Sequence, residues 1–162
     1  EHIRRLLIRA AQQKTIPIVN YNDPVSDEEN RKMELAIRRS HGDQVVECVD
    51  NDETAAVIAN LVHAKKLVLM TSTEGIYRDP ADPKTLVEQV TAKSMEELEE
   101  KVRQLQESCV GASRAGANGA KAKLEYALKS ARQGTMVIIG HARHRLSDLV
   151  EGRVACTRIG LE

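Results

Sequence analysis

Two short apolar runs, Leu67-Val68-Leu69-Met70 and Met136-Val137-Ile138-Ile139, restrict the fold of this chain more than any other feature. Neither carries the alternating polar residues of a strand with one wet face. Each therefore reads as a strand of the fully buried type, over Lys66 to Thr71 and Thr135 to Ile139. Helical patterns precede both. Thr54 to Val62 is apolar nearly all round, which predicts a buried helix. Leu124, Ala127, Leu128 and Ala131 form the stripe of another helix, ended by Gly134. Strands alternating with helices predict an α/β fold of three layers, a mostly parallel sheet covered by helices on both faces. With three Tyr and no Phe or Trp in 162 residues, the core must be aliphatic, and a base-stacking platform for nucleic acid is not expected.

The remaining elements follow from the same periodicities. Ile3, Leu6, Leu7, Ala10 and Ala11 share one helical face. Ile16-Pro17-Ile18-Val19 reads as a short buried strand, with Pro17 suited to its start or to a sheet edge. Asp27 to Arg39 reads as a helix with acidic residues at its start and arginines at its end, and Gln44 to Val49 as a strand. Asp79-Pro80-Ala81-Asp82-Pro83 is a surface turn. Ser94 and Glu97 form a capping-box signature before a helix whose buried stripe is Met95, Leu98, Val102, Leu105 and Cys109. Val154 to Ile159 reads as a terminal strand.

The length suits a single domain, residues 1–162. Lys+Arg and Asp+Glu are both 24, so no broad electrostatic grip on nucleic acid or an anionic membrane is expected. The three cysteines, Cys48, Cys109 and Cys156, are scattered and show no metal-ligand spacing. They fit a reducing compartment, and a cytoplasmic location is expected. No apolar run approaches the length of a membrane span. Glu1 opens the chain inside a helical pattern, which suggests a piece of a longer polypeptide.

Several stretches place reactive groups where an α/β sheet binds ligands. Gly116-Ala117-Asn118-Gly119-Ala120-Lys121-Ala122-Lys123 reads as a loop that becomes a helix. The free N–H groups of that helix's first turn and its two lysines suit a phosphate, although a plain turn with solvated lysines would look the same. The spacing is not that of G-x-x-x-x-G-K-[ST]. Asn20-Tyr21-Asn22-Asp23-Pro24 follows a strand and is either a ligand edge or an Asx turn. Asp50-Asn51-Asp52-Glu53 precedes a buried helix; one carboxylate there would cap it, and the others would face a ligand or a lysine. Thr71-Ser72-Thr73-Glu74-Gly75 puts hydroxyls at the C-terminal end of a central strand. His141 and His144 have an H-x-x-H spacing, which reads as a basic surface loop in the absence of a third ligand.

These segments, in this order, resemble the amino acid kinase family, and within it most closely the glutamate 5-kinases. The family's V-P-I-(I/V)-N-E-N-D stands here as Ile16 to Asp23. Its G-D-N-D-x-L-S-A looks like Val49 to Ala56, its L-L-T-D-x-x-G-L-Y like Leu69 to Tyr77, and its G-T-G-G-M-x-T-K like Gly116 to Lys123. The closing E-G-x-x-x-G-T is echoed in Glu151 to Thr157. The resemblance covers nearly the whole chain.

The resemblance implies an ATP-dependent kinase that phosphorylates an amino-acid carboxylate, with Mg²⁺ carried by ATP and no protein-held metal. By motif position, Asp23 and Asn51 would hold the amino acid. Asp52 would orient catalytic lysines. Thr71 and Ser72 would lie by the nucleotide, and Gly116, Ala117, Asn118, Gly119, Lys121 and Lys123 would wrap its phosphates, with Lys123 neutralising the transferred phosphoryl group. The substrate would be glutamate, or for related kinases N-acetylglutamate, aspartate or UMP; a non-catalytic nucleotide- or effector-binding module of the same fold is the alternative. The family's N-terminal half, with a further lysine on a glycine-rich segment, has no counterpart here, so the chain is expected to join that half or to form a homo-oligomer. Other departures are Ser72 in place of Asp, Asn118 and Ala120 in the glycine loop, Cys156 in place of Gly, Tyr21 in place of Glu, and a charged insertion from Glu28 to His41.

Overall fold

A computed structural model describes residues 2–19, 51–79, 81–108 and 119–162. The segment around Asp23, the expected helix and strand between residues 27 and 49, the insertion from Glu28 to His41, and Gly116, Ala117 and Asn118 lie outside the described residues.

The chain opens with helix α1 (His2–Gln12), followed by α2 (Asn51–Val62) and strand β1 (Lys66–Thr71). A small antiparallel hairpin, β2 (Ile76–Tyr77) with β3 (Leu86–Val87), leads into β4 (Gln89–Ala92). Helices α3 (Met95–Ser108) and α4 (Gly119–Ala131), β5 (Met136–His141), α5 (Leu146–Glu151) and β6 (Cys156–Leu161) complete it. The main sheet has the order β1-β5-β6-β4. The β1–β5 and β4–β6 pairs are parallel, and β5 and β6 meet antiparallel. The sheet is therefore mixed with parallel pairs predominating, and helices lie on both of its faces.

Alternation along β5 divides the core. Val137 and Ile139 point into the larger cluster, made with Leu98, Val102 and Leu105 of α3 and Leu124, Ala127 and Ala131 of α4. Ile138 points the other way, to Leu149 of α5 and Cys156. Gly140 makes that approach possible, since a Cβ there would overlap Leu149. The stripes expected on α3 and α4 from Leu98 to Leu105 and from Leu124 to Ala131 are the ones that pack. Gly134 leaves α4 at φ +81°, where side chains are strained. Ser94 caps α3 by accepting the Glu97 amide at 3.2 Å, while the Glu97 carboxylate reaches back to the Lys93 amide at 3.3 Å. Buried Thr135 donates to the Ala64 carbonyl at 2.7 Å and so joins the turns that precede β5 and β1.

The fold corrects three expectations, on residues 16–19, β1 and α2. Residues 16–19 form no strand; Ile16 and Ile18 are 90% and 93% exposed. A strand needs a neighbour to take its ladder hydrogen bonds, and no described strand runs beside these residues. β1, expected to be fully buried, has Met70 exposed and only Leu69 fully buried. The apolar face of α1 is formed, but Ile3 and Leu6 remain exposed. Helix α2 starts at Asn51, so Asn51 and Asp52 belong to its first turn rather than to a preceding loop, and only Ala56 and Ala59 on it are fully buried. The sequence reading also passed over β2, β3, β4 and α5. The alternation Gln89, Val90, Thr91, Ala92, with Val90 and Ala92 buried on β4, was the available signal for one of them.

On β4, the Lys101 ammonium donates to the Thr91 carbonyl at 2.8 Å and pairs with Glu97 at 2.7 Å. At the far side, Arg158 and Lys66 reach carbonyls at the C-terminal end of α5, where positive charge is favoured. Among the described residues no helix is long and apolar enough to cross a membrane.

Candidate active site

Helices α2 and α4 each turn back into a strand, α2 into β1 and α4 into β5, through short turns. Their N-terminal turns therefore come to the sheet edge at which those two parallel strands end. This is the edge where open α/β sheets bind ligands. Asn51, Asp52, Gly119, Lys121 and Lys123 arrive there on helices, and Thr71 and Ser72 arrive on the end of β1.

Of these residues, Asp52 and Lys123 touch. The Lys123 ammonium donates to Asp52 Oδ2, with side chains 28% and 18% exposed. Helix α2 packs against α4, and the pair joins their first turns. Half-buried, it is screened less than a surface ion pair, and removing either member would leave a partly desolvated charge. The lysine is thereby held beside two helix N-termini, whose own partial charge is positive. Such a place favours an anion.

The other expected residues are placed as follows. Asn51 opens α2 and is exposed. Gly119 opens α4 and is half-exposed. Lys121 is exposed, and its carbonyl accepts from the Gln106 side chain at 2.9 Å, which ties α4 to α3. Thr71 is linked to β5 through its carbonyl, which accepts the Ala142 amide at 2.8 Å. Its hydroxyl donates to the Thr73 carbonyl at 2.8 Å, and Ser72 beside it is exposed.

A second cluster on this edge went unread in the sequence. Glu74, in the loop after β1, pairs with Arg143 and with His144 Nε2, the latter at 2.6 Å, both from the loop after β5. His144 is therefore no freely solvated member of a basic loop. The Arg143 amide donates to His141 Nδ1 at 3.0 Å. Burial pushes the Glu74 carboxyl up; the His144 hydrogen bond and the charges of Arg143, His144 and His141 outweigh it and hold the group below its ordinary value. Opposite charges in corresponding loops of two adjacent strands were the signal. Among the described residues no group of three or more His, Cys, Asp and Glu side chains is gathered as a metal site. A polar groove of about 360 Å³ runs along the outer edge of β4, lined by Arg78, Thr91, Lys101 and Glu162 among others; Asp52 and Lys123 do not line it.

Comparison with known proteins identifies the family. The model of the amino acid kinase family matches residues 1–141. The glutamate 5-kinase of Geobacillus kaustophilus (strain HTA426) is 33% identical over 149 residues, covering 90% of this chain and 34% of that protein. The acetylglutamate kinase of Methanopyrus kandleri is 46% identical over 59 residues, 36% of this chain and 24% of that protein. The carbamate kinase from Giardia lamblia bound to AMP-PNP superposes with a TM-score of 0.54 at 15% identity, covering 98% of this chain and 56% of that one, a likeness of fold. The chain spans about a third of the length of the glutamate 5-kinases it matches. On the family match, which runs from α1 to the end of β5, the chain belongs to the amino acid kinase family.

Proposed function

We propose that this chain is the nucleotide-binding part of an ATP-dependent kinase that phosphorylates an amino-acid carboxylate, L-glutamate to glutamyl 5-phosphate, a step of proline biosynthesis. The observation that carries the reading is the half-buried Lys123–Asp52 pair beside two helix N-termini at the ligand edge of the sheet. Phosphoryl transfer asks for positioned positive charge more than for covalent chemistry. The choice of glutamate comes from the relatives, and the choice of phosphoryl transfer from the lysine.

In this reading a substrate carboxylate oxygen attacks the γ-phosphorus, and the bond from that phosphorus to ADP breaks. The carboxylate is already a competent nucleophile, so no general base is needed. Lys123 meets the charge that builds on the transferred phosphoryl oxygens, and Asp52 keeps its ammonium in place. Asn51, with Asp23, holds the amino acid. Thr71 and Ser72 flank the nucleotide, while Gly116, Ala117, Asn118, Gly119 and Lys121 wrap its phosphates. The carboxylates Asp52 and Glu74 are engaged with cations, a donor set that fits a metal arriving on the nucleotide. Mg²⁺ bound to the phosphates would supply further charge neutralisation. The exposed Ile16 and Ile18 support association with a further segment of the same protein, which would supply the second lysine. Its work on soluble metabolites suits the cytoplasm.

Thermal unfolding with and without Mg·AMP-PNP tests the reading, with Lys123→Ala alongside. A ligand at about 100 times its dissociation constant adds roughly 2.7 kcal/mol when it binds only the folded state. The shift should appear in the wild type and shrink in the variant. No shift in the wild type, or an equal shift in both, would count against the reading. Exposed Ser72, standing where the family has an acidic residue, favours a second reading as a binding module without catalysis. That reading expects the shift but no acyl phosphate once the chain is joined to its preceding segment.

A further inference from the structure

The loop of residues 72–75 is fixed from both flanks. On one side, Glu74 holds Arg143 and His144 of the loop after β5; the Glu74 and His144 side chains are only 17% and 20% exposed. On the other side, the amide of Ile76 donates to the Thr157 hydroxyl at 2.8 Å. Between the flanks, the Thr71 hydroxyl bonds to the Thr73 carbonyl at 2.8 Å, and the Thr73 hydroxyl bonds to the Gly75 carbonyl at 3.1 Å. The chemistry proposed above uses none of the Glu74 contacts. A loop ordered before its ligand arrives spares the ligand the cost of ordering it.

We propose that Glu74 is a positioning residue of the nucleotide site: by holding Arg143 and His144 it locks loop 72–75, with Thr71 and Ser72, against the loop after β5. The inference rests on the reading of Thr71 and Ser72 as neighbours of the nucleotide. It has a definite sign. Glu74 also neutralises the Arg143 guanidinium, so its removal would free that charge to attract phosphate. If that electrostatic effect dominated, loss of Glu74 would tighten nucleotide binding. If positioning dominates, loss of Glu74 weakens it.

The test compares wild type, Glu74→Gln, Arg143→Gln and the double variant. Calorimetry with Mg·AMP-PNP gives affinities, and amide hydrogen exchange without nucleotide reads the loop directly. Glu74→Gln should weaken binding about tenfold, Arg143→Gln less because His144 keeps its contact with Glu74, and the double no more than Glu74→Gln, because the Arg143 contact is already lost there. Exchange should quicken over residues 72–75 in Glu74→Gln while β6 stays protected. A wild type that binds, together with a Glu74→Gln that binds as well or more tightly, overturns the inference and leaves the nucleotide reading standing. Unchanged exchange over residues 72–75 overturns it as well. A wild type that fails to bind overturns the nucleotide reading, and the inference with it.

Discussion

The Thr157 hydroxyl accepts the Ile76 amide at 2.8 Å and thereby fastens the hairpin that follows β1 to the start of β6. The same hydroxyl donates to the Val87 carbonyl at 2.6 Å, so one fully buried side chain satisfies both strands of the hairpin. Gly75 lies against it; a Cβ there would stand 2.9 Å from the Thr157 amide. Two distant sequence signatures thus meet at one oxygen, and their residue types are explained by the contact.

Thr157→Val keeps the shape and removes the oxygen. It removes the hydrogen bonds to the Ile76 amide and the Val87 carbonyl, and should cost about 1–3 kcal/mol in urea unfolding. Thr157→Ser keeps the hydroxyl and should lose about 1 kcal/mol or less. Equal losses in the two variants would show that the methyl group, not the hydroxyl, matters.

Lys123→Ala should reduce the nucleotide-dependent rise in unfolding temperature. In the chain joined to its preceding segment, it should slow phosphoryl transfer by about 10²–10³. Asp52→Asn should slow it less, since the lysine stays but loses its anchor. Turnover of Lys123→Ala within tenfold of wild type would remove that lysine from the chemistry.

Leu124 is fully buried between α4 and the sheet, whereas Ile16 is 90% exposed. Leu124→Ala should destabilise by about 2–5 kcal/mol. Ile16→Ser should change the stability of this chain by no more than about 0.5 kcal/mol. Denaturant titration of both separates a packed core position from one that only reads as a strand.

Glu74 has a folded-state pKa below its ordinary 4.5. A carboxyl depressed by folding binds fewer protons than in the unfolded chain. Its stabilisation is therefore complete above 4.5 and disappears as pH falls through the lower, folded value. Glu74→Gln should flatten that acid limb of the stability curve. A limb of unchanged slope in the variant would place the acid sensitivity elsewhere.

What was legible in the sequence was what periodicity encodes. Leu98, Val102 and Leu105 on α3, and Leu124, Ala127 and Ala131 on α4, stand where their spacing put them. The β–α alternation gave the layers. Apolar character alone did not distinguish Ile18 from Ile138, since burial depends on whether a neighbouring strand is present, and that is not a local property. The strands of the hairpin are two residues each, too short for a period to register. At the site, the motifs singled out both Asp52 and Lys123, 71 positions apart, because each carries chemistry by itself. Glu74 looked like one acid among many until the register of β1 on β5 brought its loop to Arg143 and His144.

The main sheet treats its two margins differently. The Thr91 carbonyl faces away from β6, and the Lys101 ammonium covers it. A foreign strand arriving on that side would have to displace a charge. On β1, the pairing with β5 through the carbonyls of Lys65 and Thr71 turns the backbone of Lys66, Val68 and Met70 outward. Met70 lies there exposed, and no described side chain takes the part that Lys101 takes on the other margin. Among the described residues, then, a fixed positive charge guards one margin of the sheet against accidental pairing, and the other margin has no such guard.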